Sequence, residues 1–422
     1  MNQSFEKEQD LAPSQTSAQT ASPSRRLMSL DALRGFDMFW IVGAASLVSA
    51  LDKIFNNTVT NFLAEQCKHV QWEGFHFEDL IFPLFVFIAG VSMTFSMTKS
   101  VAQHGKKGAI LRLGSRCLLL VLAGIFYYGG LSNVWPNIRL TGVLQLIGLS
   151  CFFAGVVYII FPDNPRVLVS VFMTLIVGYW ALLTFVPFPD LRLNKESVAK
   201  VTAQINSTDP SVISGSISKR VRAVYEEGYN LPNYIDYRFL PGKKIYGDGT
   251  YEAQGILQTI MATSTCLLGI LSGLWLRREK NSDTAKITGL CAAGVVCVLL
   301  GYIWGIQFPV VKKLWNSSFI LVTGGCSAML LGLFYYIVDV RKKQRWCLPF
   351  VWIGMNPITI YLAYNIISFP LLAARFAGGD LQRFLNTSVA TGVGDLLVAI
   401  VEMGLMFLLV RFLYVRKIFL RL

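Results

Sequence analysis

Apolar residues in this chain gather into long runs broken by short polar stretches. They do not alternate as in a half-buried strand, nor recur at the spacing of a helix with one wet face. About 20 apolar residues in a helix cross a hydrocarbon layer of about 30 Å. By that rule spans are expected at 30–51, 76–98, 109–130, 140–161, 166–187, 255–276, 286–307, 317–339, 349–371 and 390–413. The pattern predicts an all-α, polytopic membrane bundle of about ten transmembrane helices.

The stretches between these runs set the organisation. Residues 1–26, rich in Ser, Gln, Thr and Ala, read as a disordered cytoplasmic tail. Residues 27–187 hold the first five membrane helices, and 255–422 the second five with a basic tail. Between them, 188–254 reads as a long extracytoplasmic loop. Its aromatic and turn residues, as in "NLPNYIDYRFLPGKKIYGDG", suggest an ordered cap. The first span carries Asp31, Arg34 and Asp37, unlike the clean core of a signal peptide, so it is read as a retained helix.

Charge changes the picture in one respect. The chain is 54% hydrophobic and 15% charged, against roughly 25% in a typical soluble domain. Lysine and arginine recur in alternate loops: Lys99, Lys106, Lys107 and Arg112; Arg277, Arg278, Lys280 and Lys286; Arg341, Lys342, Lys343 and Arg345. That bias places both termini in the cytoplasm and His69 on the other side. It also accounts for the net charge of +13 without a nucleic acid, since no basic run is interleaved with aromatics. The eight cysteines form no CxxC pair and lie mostly in apolar runs, so neither a disulfide framework nor a metal site is expected. Cys67 beside His69 is set aside as a nucleophile, because an exposed thiol outside the cytoplasm invites oxidation.

Chemistry concentrates in 68–97, "KHVQWEGFHFEDLIFPLFVFIAGVSMTFSM". Two of the chain's three histidines, His69 and His76, fall there, where an apolar run meets water. Histidine is the side chain that changes charge nearest neutral pH. Glu73, Glu78 and Asp79 are close enough to orient an imidazole, as a general base requires, and Asp79 is the expected partner. Trp72 and Phe75 offer a flat surface for a sugar ring, and Pro83 opens the helix below. The plain alternative is an interfacial histidine satisfied by a backbone carbonyl.

Other candidates are weaker. Asp31, Arg34 and Asp37, spaced three apart, form either a structural ion-paired cluster or a clamp on an anionic cofactor. The helix carrying Asn356, Pro357, Tyr361 and Asn365 is polar and broken, and "KKLWNSS" (312–318) sits at a mouth. Glu402 lies deep in the last span with no partner evident from sequence. Gly269-xxx-Gly273 and Gly301-xxx-Gly305 read as packing seams. No P-loop, GxGxxG, HExxH or GxSxG is present.

The blocks "LDALRGFDMFW", "KHVQWEGFHFEDLIFPLFVFIAGVSM" and "RLTGVLQLIG" resemble the heparan-α-glucosaminide N-acetyltransferase family. "NYIDYRFLPGKKIYGDGTYEAQGILQTI", "KKLWNSSFILVTGG" and "WIGMNPITIYLAYNII" resemble later blocks of its bacterial branch, in family order. The resemblance implies a multi-pass protein of the bacterial cytoplasmic membrane. It would pass acetyl from cytoplasmic acetyl-CoA to a hexosamine amine on the far side, with no metal. It puts the catalytic histidine at His69, as a base or as an acetyl carrier, with Asp79 beside it. Trp72, Glu73, His76, Asn233, Asp236, Trp315 and Asn356 are then expected on the acceptor, and Arg34, Asp37, Gln145 and Tyr361 on the donor. Implied partners are an amino sugar or glycan and membrane lipid; a homodimer stays open.

Three positions depart from the family pattern: Ala45 where an Asn is usual, Leu146 in place of an Arg, and Glu252-Ala253-Gln254-Gly255 for Asp-Pro-Glu-Gly. The other reading of the same polar cavity is an amino-sugar permease or a non-catalytic sugar-binding membrane protein.

Overall fold

The computed structural model describes residues 27–162 and 164–419, so the 1–26 tail lies outside the described residues. Most of them are helical; the only strands among them are four two-residue pieces. Among the described residues, nine helices are long and apolar enough to cross a membrane: Met28–Phe55, Phe77–Tyr127, Val143–Ile160, Pro165–Phe185, Ile256–Arg277, Asp283–Gly305, Ser317–Val340, Pro357–Ala377 and Val393–Val415. The protein is an all-α membrane bundle. Exposed Leu118, Leu122, Val169, Met173, Leu299 and Ile303 give its outside the apolar face that lipid requires.

The count of about ten spans and the nine helices are reconciled at Gly105. Phe77–Tyr127 has 51 residues, roughly 75 Å of helix and more than twice the hydrocarbon thickness. Gly105, at φ +67, breaks it in the left-handed region that glycine enters freely. The halves fold back on each other, since Ser92, Met93 and Met97 from one and Leu113, Arg116 and Cys117 from the other line one cavity. Two spans expected from sequence are therefore a hairpin. The span expected at 349–371 is shifted. A short helix, Leu348–Gly354, ends before Asn356, and Pro357, which has no N–H to donate, opens Pro357–Ala377.

Small residues let backbones meet. A Cβ on Gly269 would lie 2.0 Å from the Phe87 carbonyl oxygen, so Ile256–Arg277 lies directly against the first half of the hairpin. Gly273 faces Thr94 and Val91 on the same seam, while Gly301 faces Ser318 and Val322. Gly305 meets only Val310, so its expected role in helix packing is not realised.

Residues 188–254 are ordered around a small core of their own: Leu191, Leu193, Ile213, Tyr237 and Tyr251. The segment lies on the bundle end that carries His69. Trp72 Nε1 donates to the Tyr225 carbonyl (2.7 Å), Lys313 pairs with Glu227 (2.6 Å), and Arg139 grips Glu252 through two bonds of 3.0 and 2.9 Å.

Candidate active site

The site is built where a helix begins. Asp79 sits in the first turn of Phe77–Tyr127, where an acid complements the helix dipole and accepts orphan N–H groups. Its Oδ2 accepts from His76 N (3.1 Å) and Val70 N (3.3 Å), which closes the loop 67–76 over it. That loop is fastened to 306–316 by Gly74 N donating to the Val310 carbonyl (2.9 Å) and by an antiparallel bridge between Glu73 and Val311. Asn316 holds the second loop, donating to the Pro309 carbonyl and accepting from Phe319 N. Two loops far apart in sequence are thus locked edge to edge.

The lock brings His69, Asp79 and Lys312 together. His69 Nδ1 lies 3.1 Å from Asp79 Oδ1 and 3.1 Å from Lys312 Nζ, and Lys312 Nζ is 3.3 Å from Asp79 Oδ1. Asp79 is 1% exposed and the His69 side chain 59%. A buried carboxylate with four donors around it is an anion; in the tautomer whose Nδ1–H donates to Asp79, the Nε2 lone pair of His69 is left for chemistry. Burial pushes the proton affinity of Lys312 below its ordinary value, against the opposing pull of the Asp79 and Glu78 charges.

A cavity of about 1130 Å³, counting its open mouth, starts at His69, Glu78 and Lys312 and runs into the bundle between Met38, Phe85, Ile147 and Tyr361. Trp72, Tyr246 and Lys313 frame its rim, with the Lys313 ammonium 5.6 Å from the Trp72 ring and 5.1 Å from that of Tyr246. A second cavity, about 1420 Å³, is lined by Arg34, Ser92, Ser96 and Arg116. Phe85, Ile147 and Ile358 line both, so the two adjoin at an apolar neck. Arg34 is held by Ser92 Oγ (2.6 Å), the Gly354 carbonyl (3.3 Å) and Asp31 (3.4 Å).

Of the residues expected at the site, His69, Trp72, Trp315 and Tyr361 line the first cavity and Arg34 the second, while Asp79 supports His69 from below. Trp315 is 2% exposed and forms part of the wall, its Nε1 donating to Thr265.

The other expected residues are not brought to either cavity. Glu73 serves the loop bridge, and the His76 ring bonds the Lys68 carbonyl at 3.0 Å. Asn233 is buried inside the cap segment, bonded to Gly228 N and Asn230. Asp236 caps the next helix by accepting from Ile256 N (3.0 Å), and burial pushes its carboxyl up to about 7. Asn356 donates to the Ile418 carbonyl (2.9 Å) at the Arg34 end. Asp37 is fully buried one turn from Arg34 and makes no hydrogen bond among the described residues. Gln145 is pressed against Gly124. Phe75, expected beside Trp72, turns into a separate groove with Leu80 and Met329.

Sequence reasoning missed Lys312 as a partner of His69; it also missed Tyr246 and Gln254 on the cavity lining, and Arg139 behind them, bonded to Gln254 and Glu252. The stretch "KKLWNSS" (312–318) was the available signal for Lys312, but its pairing depends on a loop contact spanning 243 residues. Among the described residues no group of three or more His, Cys, Asp or Glu is placed to hold a metal ion.

Two curated relatives are similar to this chain, both called heparan-alpha-glucosaminide N-acetyltransferase. The Mus musculus protein is 27% identical over 344 residues, 71% of this chain and 49% of that protein. The Homo sapiens protein is 27% identical over 336 residues, 71% of this chain and 48% of that protein. The chain is a distant relative of these acetyltransferases. It spans about half the length of the curated relatives it matches, and no family model matches it.

Proposed function

We propose that the chain is a transmembrane acetyltransferase that moves acetyl from acetyl-CoA to the amine of a hexosamine. One observation carries the reading: an imidazole held by a buried carboxylate opens on a cavity whose far side adjoins a second one lined by two arginines. The names of the relatives supply the transferred group, acetyl, and the acceptor class, a glucosaminide. Arginine and serine side chains suit the phosphates of a coenzyme, and the apolar neck suits its thin thioester arm.

The acceptor amine attacks the thioester carbonyl while His69 Nε2 takes its proton. Asp79 keeps Nδ1 protonated and stabilises the imidazolium as it forms. The carbon–sulfur bond breaks, the electron pair leaves on sulfur, and the proton passes from His69 to the CoA thiolate. Lys312, against the same carboxylate, fixes its position.

The Arg34 end shares its side of the bundle with Lys106, Lys107, Arg277, Arg278 and Lys280, a bias that supports cytoplasmic entry of the donor and an acceptor on the opposite face. The test is release of free CoA by the purified protein in detergent when glucosamine is added with acetyl-CoA. His69→Ala is expected to lower that rate by about 10²–10⁴-fold with unfolding unchanged. A folded His69→Ala protein that keeps its rate overturns the proposal, and so does a wild-type protein that releases no CoA.

A further inference from the structure

Glu402 plays no part in the proposed transfer. It is 4% exposed, well inside Val393–Val415, and a charge buried at that depth is costly unless something neutralises it. Two helices lose their regular winding where they face it. Met28–Phe55 opens at Val42 and Gly43, with Gly43 at φ +122, inside a wide π-type turn over Trp40–Ala44. A Cβ on Gly43 would lie 2.9 Å from Glu402 Oε1 and 3.4 Å from the Tyr364 hydroxyl. The broken backbone therefore lies directly against the carboxylate. Tyr364 begins the second wide turn, Tyr364–Ser368, and donates to Glu402 Oε1 at 2.7 Å.

An open groove of about 510 Å³ leads from Glu402 past Ser46 and Ser49 to Lys53 and Asp395, near the ends of their helices. That end of the first helix continues through Thr58–Gln66 to His69. The groove thus reaches the aqueous phase on the His69 side.

We propose that Glu402 is the centre of a binding site for one hard monovalent cation, a proton or a sodium-sized ion, reached from the His69 end of the bundle. One carboxylate balances one positive charge. The Glu402 carboxylate, the Tyr364 oxygen and the serine hydroxyls, of which Ser46 Oγ donates to the Gly43 carbonyl, are oxygen atoms of the kind a hard cation takes. The charged or titratable groups facing the site are Tyr364 from Pro357–Ala377, Lys53 from the first helix and Asp395 from Glu402's own helix, the last two paired at 2.7 Å. Gln382 is the residue that Gly379–Ser388 contributes, and Asp52, Arg375, Asp380 and Arg383 do not line the groove. The two opened helices also carry Met38, Ile41, Ile358 and Tyr361 into the His69 cavity, so occupancy at Glu402 bears on its walls.

The wild-type protein tests this by carbodiimide labelling, read by peptide mapping at Glu402. Labelling in the neutral range is expected, although an exposed carboxylate is already unreactive there. It should slow severalfold when sodium replaces choline at fixed pH if the occupant is an alkali ion, or only when pH is raised if it is a proton. No labelling at Glu402, or a rate indifferent to both, overturns the site. As a second measurement, thermal unfolding of wild type should shift by a few degrees with the effective cation and that of Glu402→Gln should not. Equal shifts in both overturn it. Neither readout depends on turnover.

Discussion

Lys312 meets two opposed demands: burial favours its neutral form, while Asp79 and Glu78 favour its charge. Its ammonium sits against the same imidazole nitrogen that Asp79 accepts from, and removing it takes a positive charge away from His69. Lys312→Met is expected to lower the rate of CoA release without unfolding the protein. A folded Lys312→Met protein that keeps its rate would leave Lys312 no part in the transfer. Asp236 gives a stability effect of definite sign. Its carboxyl is raised from 3.8 to about 7, mainly by burial, so the folded state binds the proton more tightly than the unfolded chain. Stability is full below the lower value and declines as pH rises through the upper one, by up to about 4 kcal/mol. Unfolding midpoints of Asp236→Asn compared with wild type across that window should show the slope lost in the variant.

At the scale of elements, the segment 188–254 is held to the bundle by polar contacts, and among the described ion pairs between them Arg139 with Glu252 is the buried one. The pair is bidentate, its side chains are 9% and 0% exposed, and Arg139 also stacks on Tyr128 at 4.1 Å. Breaking such a pair from one side leaves an uncompensated charge. Arg139→Met should therefore cost about 3–5 kcal/mol, seen as a lower unfolding midpoint. Adding Glu252→Met should recover most of it. This pair also shows what local sequence lacks: Glu252 stands at a departure from the family pattern, and its partner lies 113 residues away.

Across the whole molecule, the proposed transfer depends on continuity between two cavities. Phe85, Ile147 and Ile358 come from three helices and form the shared neck. Ile147→Trp, which fills it, is expected to suppress CoA release while leaving the protein folded, and Ile147→Ala should keep activity. An unimpaired Ile147→Trp enzyme would mean that the donor does not reach His69 by that path.

The membrane character, the spans and their approximate ends were legible in the chain because crossing lipid imposes a length and a polarity that composition alone reveals. His69, Asp79 and Arg34 were legible because ionisable groups are costly at that depth and stand out. Tertiary structure alone decided that Lys312 joins His69, that Gly105 turns one long helix into two, and that Asn233, Asp236 and Gln145 serve packing and capping. It also gave Glu402 its setting, between two opened helices distant in sequence. The reason is physical: hydrophobic runs are local properties of a chain, whereas the pairing of buried polar groups is fixed by which loops and helices meet.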